Sequence, residues 1–373
     1  MKDVVIFVSP HNNLYGAERS MLAIIKKMKQ KDIDSVVIIP DHGPIEEELN
    51  QIGSYVIVQR YFFWINEQNK IKDLIKYYCN YLIAFSVKKK LRNMDCNALT
   101  VHTNSIITPF GAQLSRVLNV KHLQHIREFG TLDFHMSFNF GWPFMSKLIN
   151  KSAKIICISN SVSRYFGKYF DTEKLITIYN GIPVIENIEK KMVTEFRILL
   201  VGRLSREKGQ IDAIKAVESL IRDCGYTDIK MDLFGSGQDK NTLSEYIKKH
   251  GLQYNVFLKG YSKEIDYSNY CVGIMSSQNE AFGRVTVEYM MNGLAVVGAK
   301  SGGTQEIVVN NVTGLTYDPG NVCQLKECLK NLYENRQKAQ LFGENGRLRA
   351  VECFSEESYC SNIYKLYQEL EIV

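Results

Sequence analysis

The amino-acid sequence predicts an α/β fold of two doubly wound parallel-sheet units. Three observations lead there. The chain has 373 residues, more than one ordinary hydrophobic core accommodates. Short continuous apolar runs alternate with segments of helical spacing, the pattern of parallel strands joined by crossover helices. That rhythm stops after Asn180-Gly181-Ile182-Pro183 and then restarts.

In the first unit Val4–Ser9 is an uninterrupted apolar strand, and Ala17–Lys29 sets Met21, Leu22, Ile25 and Met28 at helical spacing. Ser35–Pro40 and Tyr55–Val58 are strands around a short helix, Ile45–Ile52. Ile71–Arg92 is a long helical region rich in Tyr, Leu and Lys. Leu99–His102, Lys121–His125 and Lys154–Ser159 are strands that run into polar residues. Residues 184–195 are polar, without a clear period, and read as a linker. Beyond it, Phe196–Val201, Lys230–Phe234, Val256–Leu258, Val272–Ser276 and Ala295–Gly298 are strands. Helices at Gln210–Asp223, Asp239–His250 and Val285–Asn292 separate them. The units are therefore residues 1–183 and 184–354. Ligands of open α/β sheets sit beyond the carboxyl ends of the strands, so a central cleft between two facing units is the expected site.

Composition narrows the class. An apolar share of 45% and a charged share of 23% fit a soluble globular protein. No uncharged apolar stretch reaches the roughly 18 residues of a membrane span. The N-terminal apolar run is short for a signal peptide and reads as the first strand. Nine scattered cysteines without a Cys-x-x-Cys pair point to reduced thiols in a cytoplasmic protein and away from zinc. Residues 1–180 hold 23 Lys+Arg and 15 Asp+Glu, a net of +8; the remainder hold 23 and 25, a net of −2. The basic first half points to an anionic partner, unless the charge only keeps the surface soluble. With two Trp and no recognisable module, nucleic acid is not the expected partner.

The strand ends carry the chemistry. The first strand leads to Gly16-Ala17-Glu18-Arg19, where a helix start favours an anion. A full Gly-x-Gly-x-x-Gly is absent, which argues against a nicotinamide dinucleotide. Other first-unit strands end in His102-Thr103-Asn104-Ser105 and in His125-Ile126-Arg127-Glu128. In the second unit Gly202-Arg203-Leu204 and Lys208-Gly209 follow the first strand; Gly202 permits close approach, and the two cations suit a diphosphate. Phe234-Gly235-Ser236-Gly237 is a second permissive loop. The most informative run is Glu280-Ala281-Phe282-Gly283 through Glu288, with Ser301-Gly302-Gly303-Thr304 after the next strand. Glu280 precedes a helix and Glu288 lies one to two turns inside it. They would reach different parts of one elongated ligand rather than share a metal. Asp32-Ile33-Asp34 reads as a turn at the wrong end of the sheet for the cleft.

These motifs resemble those of family-4 retaining glycosyltransferases of the GT-B fold, which has two Rossmann-like domains. The matching residues are Gly-Arg-Leu-x-x-x-Lys-Gly at 202–209, Glu-x7-Glu at 280–288, Gly-Gly-Thr-x-Glu at 302–306 and the turn 311–314. In the first half they are 16–19, 102–105, 125–128, Ser159-Asn160-Ser161 and Tyr179–Ile182. The resemblance implies that Glu280 contacts donor-sugar hydroxyls at the anomeric centre and Glu288 the nucleotide ribose. Arg203 and Lys208 would neutralise the leaving diphosphate. Backbone N–H groups of Gly302, Gly303 and Thr304 would hold the donor, with Gly202, Gly235, Phe282 and Gly283 around it. Gly16 would lie near the diphosphate, and Asn104, Arg127 and Glu128 on the acceptor side. Which of His125, Arg127 and Glu128 meets the donor sugar stays open. The resemblance also implies that a C-terminal helix, about 355–373, packs back on the first domain.

The implied activity is metal-free transfer, with retention, from a nucleotide-diphosphate sugar to a glycan or lipid-linked acceptor of a surface polysaccharide. The nucleotide sugar is a co-substrate; no cofactor is expected. A GT-B epimerase and a non-catalytic partner subunit are the alternatives. Lys70–Arg92 interleaves aromatic and basic residues; it reads either as a core helix with a solvated basic end or as a contact with an anionic inner leaflet. Localisation is expected to be cytoplasmic, with peripheral membrane attachment left open.

Overall fold

The computed structural model describes residues 1–66, 69–186, 188 and 195–373. The linker expected at 184–195 lies largely outside the described residues. The chain forms two compact units, Met1–Gly181 with Glu356–Val373, and Ile182–Ser355.

Unit 1 holds β1 (Lys2–Val8), β2 (Asp34–Ile39), β3 (Tyr55–Val58), β4 (Cys96–Thr103), β5 (Lys121–Ile126), β6 (Lys154–Cys157) and β7 (Leu175–Thr177). They form one parallel sheet in the order β3-β2-β1-β4-β5-β6-β7. Its helices are α1 (Gly16–Lys29), α2 (Ile45–Ile52), α3 (Lys70–Asn93), α4 (Phe110–Leu118), α5 (Thr131–Phe134), α6 (Gly141–Ile149) and α7 (Asn160–Phe166). The strands are apolar throughout because helices cover both sheet faces. Val5, Phe7, Val37 and Ile39 point to one core, shared with Met21 and Ile25 of α1. Val4, Ile6, Val36 and Ile38 point to the other, with Ala84, Val87 and Leu91 of α3 and Leu114 of α4.

Unit 2 holds β8 (Phe196–Val201), β9 (Ile229–Phe234), β10 (Val256–Gly260), β11 (Val272–Met275), β12 (Ala295–Ala299) and β13 (Gly314–Tyr317), all parallel in the order β10-β9-β8-β11-β12-β13. Its helices are α8 (Gln210–Cys224), α9 (Lys240–Lys249), α10 (Arg284–Met291), α11 (Thr304–Ile307), α12 (Val322–Glu334) and α13 (Arg336–Phe354). Ile198, Leu200, Leu233, Ile274 and Val297 pack with Val217 of α8 and Leu325 and Leu329 of α12. The last helix, α14 (Glu356–Glu369), belongs to unit 1. It buries Tyr359, Ile363, Leu366 and Tyr367 in the α1 core.

The doubly wound parallel architecture matches the sequence expectation. The strand order reverses between β1 and β4 in unit 1 and between β8 and β11 in unit 2, which sets a switch point at the carboxyl ends of each sheet. Edge strands β7 and β13 and helices α4, α6, α7, α12 and α13 are additions to that expectation. β7 has only three half-buried residues and leaves little apolar signal. The Asp32–Asp34 segment is a turn with Asp32 at φ 57 leading into β2, and Asp34 pairs with Lys29 at 2.6 Å. Among the described residues, no helix is long and apolar enough to cross a membrane.

Candidate active site

In unit 2, three loops converge after β8, β11 and β12. The loop after β8 ends in a single 3-10 turn, Arg206–Lys208. It is stitched to the loop after β11 twice: Ser276 Oγ donates to the Lys208 carbonyl at 2.6 Å, and the Gln278 N–H donates to the Glu207 carbonyl at 3.0 Å. Lys208 Nζ then meets Glu280 Oε2 at 2.6 Å, with both side chains largely withdrawn from solvent. The loop after β12 closes the set. Ser301 Oγ donates to the Gln278 carbonyl, and the Gly303 N–H donates to the Glu280 carbonyl at 2.7 Å.

Glycine is required where these loops touch. Gly302 has φ 51, and a Cβ there would sit 1.8 Å from the Glu280 carbonyl oxygen. Gly235, at φ 146, would put a Cβ 1.9 Å from the Gly202 carbonyl oxygen. Residue types separated by tens of positions in the chain are thus held against one another by backbone, not by flexible side chains.

Glu288 lies on α10, half-buried, and its charge, second to burial, raises the pKa of the Tyr267 phenol. Helix α10 is fixed to the sheet by Tyr289, whose hydroxyl accepts the Val201 N–H at 2.7 Å at the end of β8. The two carboxylates therefore sit on a loop and on a helix, as the sequence spacing indicates. Arg203 is exposed at the mouth of the loop after β8.

Two features differ from the sequence reading. The Gly303 and Thr304 N–H groups donate inside the protein, to Glu280 and Ser301 at 2.7 and 3.1 Å. The turn consequently shapes the Glu280 loop instead of presenting all three N–H groups outward. Phe282 buries its ring against Phe354, at 6.0 Å between centroids, and leaves only its backbone at the loop. The sequence reading also passed over buried hydroxyls of Ser205, Ser277, Thr286 and Thr304, which have no hydrogen-bond partner among the described residues.

Unit 1 gathers its own polar group at the ends of β1, β4 and β5. Asn104 is fully buried; its Nδ2 donates to the Ala17 carbonyl at 3.1 Å and its Oδ1 accepts from Arg127 Nε at 3.0 Å. Arg127 also donates to Asn180 and, at 2.9 Å, to the Tyr359 hydroxyl. Gly16 begins α1, so the Asn104–Ala17 bond ties that helix start to Arg127. Glu128 accepts from the Ser105 hydroxyl and from the Ile106 N–H, and burial pushes its carboxyl up to about 7.

His125 lies inside β5 and is fully buried. Its Nδ1 meets His102 Nε2 at 3.0 Å, and His102 Nδ1 meets the Tyr367 hydroxyl at 2.6 Å. Burial, then the Arg127 charge, holds both rings well below the ordinary histidine range, so they are neutral. His125 is thus the next-to-last residue of β5, packed near Tyr359 of α14, and its buried Nε2 has no hydrogen-bond partner among the described residues.

Glu18 is the residue the motif contained but the sequence reading left unassigned. It is fully buried, neither carboxyl oxygen has a hydrogen-bond partner among the described residues, and burial pushes its carboxyl up to about 7. Its signal in the sequence is an acid on the apolar face of α1, in register with Met21 and Ile25.

Comparison with known proteins decides the family. The family described as Glycosyl transferases group 1 matches residues 182–349, and Glycosyltransferase Family 4 matches residues 15–185. The chain belongs to the family-4 glycosyltransferases. The transferase is 28% identical over 266 residues to an uncharacterised glycosyltransferase of Methanocaldococcus jannaschii, covering 70% of this chain and 72% of that one. It is 22% identical over 355 residues to the poly(glycerol-phosphate) alpha-glucosyltransferase of Bacillus subtilis, covering 88% of this chain and 51% of that one. The alignment thus spans about half the Bacillus protein. The crystal structure of Anabaena HepE in complex with UDP superposes with a TM-score of 0.81 at 21% identity, over 99% of this chain and 100% of that one. At that identity the likeness establishes the GT-B fold of the transferase.

Proposed function

We propose that the transferase moves a sugar, with retention, from a nucleotide-diphosphate sugar to a glycan or lipid-linked acceptor in surface-polysaccharide synthesis. The observation that carries this reading is the Lys208–Glu280 pair, which joins the loops after β8 and β11 and is braced by the loop after β12. A carboxylate held by a cation keeps its place, which suits gripping sugar hydroxyls as positive charge develops at the anomeric carbon. Lys208, with Arg203 from the same loop, then neutralises the departing diphosphate. Glu288, on its own helix, takes the ribose.

Retention through a covalent intermediate needs a carboxylate free to attack. Glu280 is paired to Lys208, so we favour same-face transfer instead. In that step the bond from the anomeric carbon to the diphosphate breaks, the acceptor oxygen bonds on the same face, and its proton passes to the leaving diphosphate oxygen. Two cations supply the charge that a metal supplies elsewhere, and no cofactor enters. The Bacillus relative's name supports a polyol-phosphate or similar anionic acceptor, and the basic first half of the chain agrees with one. UDP, bound by the Anabaena protein, is the first nucleotide to test.

The test is slow donor hydrolysis across UDP-, GDP- and ADP-sugars, followed by NMR of the released anomer. The reading expects one nucleotide sugar to be cleaved with its anomeric configuration kept. Inversion would refute the mechanism, and isomerised donor appearing without acceptor would favour an epimerase.

A further inference from the structure

Helix α3 is apolar on two faces, and only one is covered. Ala84, Val87 and Leu91 are buried on the sheet side, and Tyr77 against Phe140 and Phe144. Ile71, Leu74, Ile75, Tyr78, Leu82 and Phe85 are exposed, from 45% at Leu74 to 74% at Ile71. At 3.6 residues per turn these six fall within an arc of about 100°, nearly opposite the buried face, and run about 21 Å along the helix. Scattered exposed apolar residues are ordinary, but a continuous ridge of six marks a binding surface.

The charges around the ridge identify what it meets. Helix α3 carries seven Lys and Arg and one acid, Asp73. Asp73 is on the buried face, accepting from Asn139 Nδ2 at 3.1 Å. The basic run at its end divides by contact. Lys88 donates to the Val117 carbonyl at 2.8 Å and Lys90 to Gln59 Oε1 at 2.9 Å, both inside unit 1. Lys89 and Arg92 are exposed and extend the same arc as the apolar ridge. A second copy of this chain would bring like charges together across such a face. An anionic lipid surface neutralises them, while the apolar side chains enter the acyl boundary and the long basic side chains reach back to headgroups.

We propose that α3 lies flat on an anionic bilayer, inserting the Ile71–Phe85 ridge, with Lys89 and Arg92 on phosphate headgroups. This docking does not depend on the catalytic reading. It adds an apolar insertion to the purely electrostatic contact that the basic run alone indicates.

The experiment is co-sedimentation of the full chain with vesicles of phosphatidylcholine alone and of an equimolar mixture with phosphatidylglycerol. The wild type should sediment with the mixed vesicles and much less with the neutral ones. Because the side chains are exposed, Leu82→Glu with Phe85→Glu should leave the melting temperature unchanged and weaken binding at least tenfold, since burying two charges at the acyl boundary is strongly unfavourable. Lys89→Gln with Arg92→Gln should weaken binding to mixed vesicles by about fivefold per cation removed. Wild type that stays in the supernatant with anionic vesicles would overturn the proposal. So would a wild-type dimer in light scattering that Leu82→Glu with Phe85→Glu makes monomeric without changing vesicle binding.

Discussion

Gly302→Ala probes how the turn after β12 sets the position of Glu280. The new Cβ would lie 1.8 Å from the Glu280 carbonyl oxygen, where real contacts stay above 3.0 Å, so at least 1.2 Å must open between the loops. An alanine at φ 51 also bears a left-handed backbone cost of about 1–2 kcal/mol. Opening the gap breaks the 2.7 Å bond from the Gly303 N–H to the Glu280 carbonyl. That bond contributes a further ~1 kcal/mol. Together these costs lower stability by ~2–3 kcal/mol in the melt; it is the displacement of Glu280 by about 1 Å that should lower kcat/KM, by ~100-fold. The assay is kcat/KM for donor hydrolysis, run beside a thermal melt. Gly225→Ala is the control: it has φ 73 but nothing within 4 Å of the added Cβ. It should cost ~1 kcal/mol of stability and leave kcat/KM alone. If Gly302→Ala keeps kcat/KM within about twofold of wild type, the turn does not position Glu280 and the reasoning fails.

Other perturbations follow from the buried polar groups. Burial holds the Glu128 carboxyl at about 7 against 4.5 for the free acid. Its folded value is raised, so its contribution is fully present below 4.5 and is lost as pH rises through about 7, by ~3 kcal/mol. Glu128→Gln should therefore be more stable than wild type at pH 8 by up to that amount and differ little at pH 4; urea unfolding at the two pH values measures it, and an equal difference at both would contradict it. Tyr367→Phe leaves buried His102 Nδ1 without its 2.6 Å partner, and should lower stability by ~1–3 kcal/mol in urea unfolding without changing donor hydrolysis per folded molecule. Lys208→Met removes the partner of Glu280 and one diphosphate cation together, and should cut kcat by ~100-fold or more. Activity near wild type in Lys208→Met would leave the ion pair a structural feature only.

The sheets were legible because parallel strands covered on both faces are continuous apolar runs; Val4–Val8 and Phe196–Val201 announce themselves. The placement of the unit 2 candidate residues was legible for a related reason. These residues sit in the loops after strands, so Lys208, Glu280 and Gly302 each lie within seven residues of a strand end that the hydropathy marks. What escaped depends on pairing that no local pattern encodes. Whether the Gly303 N–H faces a ligand or the Glu280 carbonyl is decided by how closely two loops approach. His125 is at the end of β5 as the sequence indicates, but no local signal shows that the pleat and the return of α14 bury its ring beside His102, which meets Tyr367. Edge strand β13 is four residues long after a left-handed Asn311 and reads as a turn. The second apolar face of α3 was hidden for the opposite reason: two apolar faces on one helix cancel the asymmetry that periodicity detects.

The central claim is that Glu280 and Glu288 are separate handles on one nucleotide sugar. Calorimetry with the nucleotide diphosphate and with the nucleotide sugar selected by the hydrolysis screen tests it directly, in wild type, Glu280→Ala and Glu288→Ala. The account predicts that Glu288→Ala weakens both ligands by the same factor, because both carry the ribose. It predicts that Glu280→Ala lowers turnover severely and weakens only the increment in affinity that the sugar adds. Loss of affinity for the bare nucleotide diphosphate in Glu280→Ala, with Glu288→Ala unaffected, would contradict the assignment of the two carboxylates.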